Sequence, residues 1–141
     1  MKTSQRGISL IKSFESLRLE AYRCPAGIWT IGYGHTAGVR RGDRINEQKA
    51  EQLLAEDLRE FEEVVSRECP GVSQRRFDAL VSFVFNVGTG NFLKSTLLKC
   101  VKANPDNVNI RYEFSRWNKS KGMVLSGLIR RRKAEADLYF S

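Results

Sequence analysis

Along the first fifteen residues apolar side chains recur at helical spacing. Ile8, Ile11 and then Phe14 or Glu15 share one face, with Leu10 beside them and Ser4 placed to cap the first turn. The pattern predicts a helix from Ser4 to about Glu15. Residues 18–36 read differently. Ala26-Gly27, Gly32, Gly34 and Gly38 punctuate short β-prone pieces, residues 28–31 and Tyr33. Glycine at this density breaks helices and marks turns, so a small antiparallel sheet is expected. A second amphipathic helix starts behind Asn46. Ala50, Leu53, Leu54, Leu58, Phe61, Val64 and Val65 follow at three-four spacing to about Arg67, and Cys69-Pro70-Gly71 ends it. Residues 73–87 start behind Ser73 and are apolar nearly all round, which predicts a helix at the centre of the molecule, stopped by Gly88 and Gly90. Further helices are expected over residues 92–102, 106–117 and 127–139, with turns at Asn104-Pro105 and around Gly122. The fold class is α+β, helix-dominated. A small N-terminal β-sheet lobe (about 14–45) is joined by the 46–67 helix to a helical C-terminal lobe (about 70–141) that packs with the first helix.

Composition narrows the class. A chain of 141 residues with 41% apolar and 28% charged residues is one globular domain and not a disordered or fibrous one. No run approaches the roughly 18 apolar residues of a membrane span. The first fifteen residues hold no continuous apolar stretch, so neither a signal peptide nor an anchor is expected. Three cysteines (Cys24, Cys69, Cys100) suit a reducing compartment better than a disulfide framework. The net charge of +8 is unevenly spread: residues 43–68 carry a balance of −5, which leaves +13 for the rest. Such a surface suits a polyanionic partner, which composition alone leaves open among nucleic acid, an acidic membrane face and an anionic wall polymer.

The candidate chemistry is narrowed by what is missing. His35 is the sole histidine, and no CxxC or HExxH occurs, so no metal site is expected. The glycines of 27–38 form neither phosphate-binding loop, and no cofactor is expected. Carboxylate chemistry remains. Glu15 falls at the end of the first helix, on or beside its apolar face. Apolar surroundings favour the protonated form of a carboxylate, which suits a proton donor in glycoside cleavage. From position alone Glu15 is equally an ordinary helix-end glutamate.

The surrounding text decides between these. Residues 14–36 read F-E-S-L-R-L-E-A-Y-R-C-P-A-G-I-W-T-I-G-Y-G-H-T. This resembles the phage-type lysozymes, the endolysins of glycoside hydrolase family 24: Glu, eight residues, Asp or Cys, five residues, Thr, running into T-I-G-x-G-H. Residues 85–92 (F-N-V-G-T-G-N-F) and Ser95-Thr96-Leu97-Leu98 are similar to that family's central-helix signature and the segment after it. Trp117, Gly127-Leu128, Arg131-Arg132 and Glu135 resemble its C-terminal pattern. The three matches stand in the family's order and span nearly the whole chain.

The resemblance implies a two-lobed lysozyme fold with a cleft between the lobes. It implies hydrolysis of the β-1,4 bond between N-acetylmuramic acid and N-acetylglucosamine in peptidoglycan, leading to host lysis. The acidic stem peptides of that polymer would account for the basic surface without nucleic acid. Glu15 would be the general acid and Thr30 would hold the attacking water. Cys24 takes the place of the commoner aspartate, as base, nucleophile or electrostatic stabiliser. A free thiol ionises near pH ~8.5 unless a neighbouring cation such as Arg23 lowers it. Phe85 and Ser95 would touch substrate. His35 would pair with Asp57, which falls on the buried stripe of the connecting helix, where an unpaired carboxylate is costly. The Arg130–Lys133 run is expected as a solvated basic face touching stem peptides, in preference to a cation beside Glu15. The protein would be a monomer, accumulate in the host cytoplasm, and need a holin-type membrane lesion to reach peptidoglycan in the periplasm. Two rivals stand beside this reading: a lytic transglycosylase on the same bond, and a nucleic-acid-binding module, for which Tyr112 near Arg111 and Trp117 near Arg116 are the one hint.

Overall fold

The computed structural model describes all 141 residues. Helix α1 (Gln5–Phe14) begins where the Ser4 side chain accepts from the Gly7 amide. Its start is pinned from two directions. The Thr3 amide and hydroxyl both donate to Glu62, each at 2.7 Å, and the Ser4 amide donates to Asp78 at 3.0 Å, with the Ser4 hydroxyl bonded to the same carboxylate. Gly7 permits this. A Cβ there would lie 2.7 Å from both Asp78 Cγ and Thr3 Cγ2, closer than packed atoms approach. Strands β1 (Arg18–Arg23) and β2 (Trp29–Gly32) pair antiparallel, Tyr22 opposite Thr30, with a bulge between Arg18 and Tyr22. Helix α2 (Glu47–Glu68) then runs on to α3 (Gln74–Val87), capped by Asn46 and Ser73 respectively.

Helix α3 is the hub. Every residue from Phe77 to Val84 is buried, and the helix packs on α1, α2, α4 (Thr89–Lys94) and α7 (Ser126–Tyr139). One cluster of 23 buried residues links Ile11 of α1 and Tyr33 after β2 with members of all six later helices, so the sheet region and the helices share one core. No helix is long and apolar enough to cross a membrane.

Three expectations change. The 92–102 helix is two, α4 and α5 (Thr96–Ala103), because Ser95 is extended and its hydroxyl accepts from the Leu98 amide, starting a new helix. Gly88, at φ +92°, ends α3 alone; Gly90 lies inside α4. The 106–117 helix shrinks to α6 (Ile110–Ser115), preceded by turns in which Asn104 and Asn107 side chains accept from Asp106 and Asn109 amides. A hairpin, β3 (Lys119–Ser120) with β4 (Met123–Val124), was not expected at all. Lys121 and Gly122, both at positive φ, make its two-residue turn.

Candidate active site

Glu15 is the residue at which α1 ends. Its amide still donates to Ile11 O, but its own backbone is extended, which swings the side chain out of the helix. The carboxylate opens into a cleft of about 450 Å³ lined by Tyr33, Gly34, Asp57, Glu60, Phe61 and Phe85 among others. Gly34, at φ +92°, carries the loop after β2 directly over it: a Cβ there would stand 3.9 Å from Glu15 Oε1. Phe85 of α3 meets Phe61 of α2 edge-on at 5.5 Å and forms the apolar part of the wall.

The surroundings of Glu15 differ from the expected apolar ones. Arg131 of α7 donates through Nη1 to Glu15 Oε2 at 2.5 Å, its guanidinium lying 5.8 Å from the Phe14 ring. The expected solvated run is thus corrected: Arg130 and Lys133 are exposed, while Arg131 and Arg132 are buried. The reason is helical. Residues 131/132, 135/136 and 138/139 form one inward stripe on α7, and the arginines occupy it with Ala136, Leu138 and Tyr139. Glu135 completes the stripe and balances them. Its Oε2 accepts from Ser82 Oγ at 2.6 Å, Arg132 Nη2 at 3.2 Å and Arg131 Nε at 3.3 Å. Arg132 Nε lies 2.8 Å from Glu135 Oε1, an ion-pair distance without hydrogen-bond alignment, and Arg132 Nη1 has no partner. Its guanidinium instead stacks 5.0 Å from the Phe83 ring. Burial pushes the Glu135 carboxyl up and the Arg132 guanidinium down from their ordinary ranges; the contact between them opposes both.

On the far wall His35 Nδ1 lies 2.8 Å from Asp57 Oδ2, and Nε2 lies 2.9 Å from Ala37 O. Both partners are acceptors, so the ring ties the loop after β2 to α2. Cys24 follows β1 at the mouth of the hairpin. Its amide donates to Ile28 O and its carbonyl accepts from Gly27, a tight turn. The backbone of Ile28, and then of Ala26, holds the half-exposed Cys24 thiol below its ordinary range; burial opposes this. No cation does it, since Arg23 stacks on the Trp29 ring at 5.1 Å. Thr30 is buried, and its one hydroxyl proton goes to Ile28 O at 3.0 Å. The structure therefore groups Cys24 with Thr30 at the hairpin, and Glu15 with Phe85 and Asp57 in the cleft; Cys24 and Thr30 are not among the cleft's lining side chains.

Residues 12–135 match the model of the phage lysozyme family. The chain belongs to the phage lysozyme family. The endolysin of Acyrthosiphon pisum secondary endosymbiont phage 1 is 41% identical to it, over all of this chain and 99% of that protein. The endolysin of Bacillus phage B103 is 45% identical over the whole chain, which spans 55% of that longer protein. Among solved structures, the muramidase domain of SpmX from Asticaccaulis excentricus superposes with a TM-score of 0.92 at 39% identity, covering 99% of this chain and 98% of that one. The fold is the helix-dominated lysozyme fold, and the protein is a glycosidase.

In this phage lysozyme Ser95 stands apart from the cleft. Its hydroxyl donates to Phe92 O at 2.7 Å and caps α5, beside a separate hollow lined by Lys94, Thr96, Arg116 and Trp117. Substrate contact there competes with a cap that uses both sides of the hydroxyl. The residues that sequence reasoning missed are Ser82 and the inward role of Arg131, Arg132 and Glu135. The signal that exposes them is the periodicity of α7, in which charged residues fill three positions of an apolar stripe. The cysteines of this lysozyme differ enough for a direct check. Iodoacetamide should alkylate Cys24 at least ~10-fold faster than Cys69, because thiolate is the reacting form. Cys69 is buried and pushed up to about 11 by that burial. Peptide masses over a time course read the rates; equal rates would show the Cys24 thiol to be inaccessible.

Proposed function

We propose that this chain is an endolysin-type muramidase, hydrolysing the β-1,4 bond between N-acetylmuramic acid and N-acetylglucosamine in peptidoglycan, with Glu15 as general acid. The observation that carries the reading is the pose of the carboxylate. Arg131 occupies Oε2 alone, and Oε1 lies under Gly34 at the cleft with no protein donor. A proton on Oε1 passes to the glycosidic oxygen as the bond to the anomeric carbon breaks, and the positive charge spreads onto the ring oxygen. Water then adds its oxygen to that carbon, and the proton it gives up replaces, through solvent, the one that Glu15 donated. Thr30, through the lone pairs that its donation to Ile28 O leaves free, orients this water, with the Cys24 thiol on the same hairpin. Phe85 packs against the sugar from the α3 wall, Ser95 acts through its cap by shaping the separate hollow beside Lys94 and Trp117 for a more distant part of the glycan strand, and the His35–Asp57 pair keeps the loop over Glu15 in place.

Residues 1–141 act as one catalytic unit: a β-containing lobe over about 14–45, a connecting helix over 46–67 and a helical lobe over 70–141. The +8 charge favours a polymer bearing carboxylates. The enzyme works as a monomer that leaves the host cytoplasm through a holin-type lesion and acts on the wall in the periplasm. The nucleic-acid reading loses its one hint. Arg111 pairs with Asp137, Arg116 pairs with Glu113, and Trp117 packs edge-on against Phe83.

Clearing of outer-membrane-stripped Gram-negative cells tests the reading, with mass spectrometry of the muropeptides released. Hydrolysis yields reducing ends one water heavier than the anhydro ends of a transglycosylase. Anhydro products would replace hydrolysis with that reaction, and intact walls would remove the proposal.

A further inference from the structure

We propose that Glu135, a buried carboxylate that the reaction itself never touches, is a positioning residue for Glu15: by sharing Arg131 it sets how much positive charge the general acid meets. The inference rests on the role given to Glu15 above. Four charged groups form one continuous chain from the cleft to the core, Glu15–Arg131–Glu135–Arg132, with Ser82 bonded to both Arg131 and Glu135. Two carboxylates balance two guanidiniums. Glu135 is 0% exposed, Arg132 1% and Arg131 3%, whereas the Glu15 side chain is 24% exposed. The cluster therefore communicates with solvent only at its cleft end.

A buried ionic cluster of this kind contributes little stability compared with apolar side chains of the same volume. It does control charge at its open end. Nη1 of Arg131 is committed to Glu15, Nε to Glu135 and Nη2 to the Ser82 carbonyl at 3.2 Å, so the guanidinium cannot turn toward one carboxylate without leaving the other. Neutralising Glu135 leaves Arg131 and Arg132 with Glu15 as their only counter-charge. That favours an ionised Glu15, which has no proton to give. Removing the Arg132 charge does the reverse: Glu135 is then incompletely balanced, and its surplus negative charge favours a protonated Glu15. The other titratable and charged groups on the elements around this cluster are Lys12 on α1, paired with Glu51; Tyr33 after β2; Asp57, paired with His35, and Glu60 on α2; Asp78 on α3, bound to Ser4 and Gln74; Glu113 on α6, paired with Arg116; and the exposed Arg130 and Lys133 on α7. All are common to both variants, so their effects cancel in the comparison.

The test is the pH dependence of peptidoglycan hydrolysis by the wild type, Glu135→Gln and Arg132→Met, with thermal melts to establish folding. Glu135→Gln should move the alkaline limb of kcat/KM to lower pH by about one pH unit, and Arg132→Met should move it to higher pH. A role confined to holding the fold lowers the melting temperature in both and moves neither limb. Limbs that coincide with the wild type, or that move in the same direction, overturn the proposal. If one variant fails to fold, the direction of the other decides; if neither folds, the cluster is a fold element and the proposal falls. A wild type that leaves peptidoglycan intact, or a Glu15→Gln protein that is fully active, would instead remove the reading of Glu15. Unmoved limbs beside an inactive Glu15→Gln remove only the role of Glu135.

Discussion

Glu15→Gln should fold as the wild type does and clear peptidoglycan at least ~100-fold more slowly, the lower range for loss of a general acid. Glutamine keeps the length of the side chain, and its amide oxygen can still accept from Arg131. Arg131 in turn keeps its bonds to Glu135 and Ser82. What is lost is the transferable proton at the atom facing the cleft. Initial rates of turbidity loss, set beside melting curves, separate the two effects. A variant clearing cells near the wild-type rate would show that the proton comes from elsewhere.

Arg131→Met should cost about 3–5 kcal/mol of folding stability, the range for breaking a buried ion pair by removing one partner. Glu135, with no exposure, loses one of its two cations, and Ser82 O loses a donor. At 2–4 °C per kcal/mol for a protein of this size, the melting temperature should fall by roughly 10 °C. Lys133→Met is the control on the same helix. Its pair with Asp137 is 73% and 48% exposed, so solvent screening leaves it about 0.2–1 kcal/mol at most. Equal losses in the two variants, read by urea unfolding, would show that the Arg131 cluster contributes no more than a surface pair.

Much of this molecule is legible in its sequence wherever burial imposes a period. The stripes of α1, α2 and α3 are the apolar residues themselves, and Ser4, Asn46 and Ser73 stand as caps where the hydroxyl or amide oxygen meets a free amide. The break at Ser95 was hidden because Phe92, Leu97, Leu98 and Val101 keep an apolar rhythm across it, and a cap inside a rhythm leaves no trace in hydrophobicity. The β3–β4 hairpin was hidden for the opposite reason. Its four strand residues are all exposed, so no core imposes alternation on them. The Glu15–Cys24–Thr30 spacing was readable because all three lie close together along the chain, between the end of α1 and β2. The partner of Glu15 was not. Arg131 lies 116 residues away, and a charged residue on an inward stripe is mistaken for a surface one until its counter-charges are placed.

The anchoring of α1 makes that helix a ruler. Its start is fixed to α2 through Glu62 and to α3 through Asp78, and its end delivers Glu15 to the cleft. The distance between the two is set by counting residues, about 1.5 Å and about 100° of rotation for each. Exchanges at the exposed positions Gln5, Arg6, Ser9 and Ser13 leave that count untouched. One residue added or removed between Ser4 and Glu15 turns the carboxylate by more than a quarter of a circle, away from both Arg131 and Gly34. The length of this helix, more than its composition, is part of the active site.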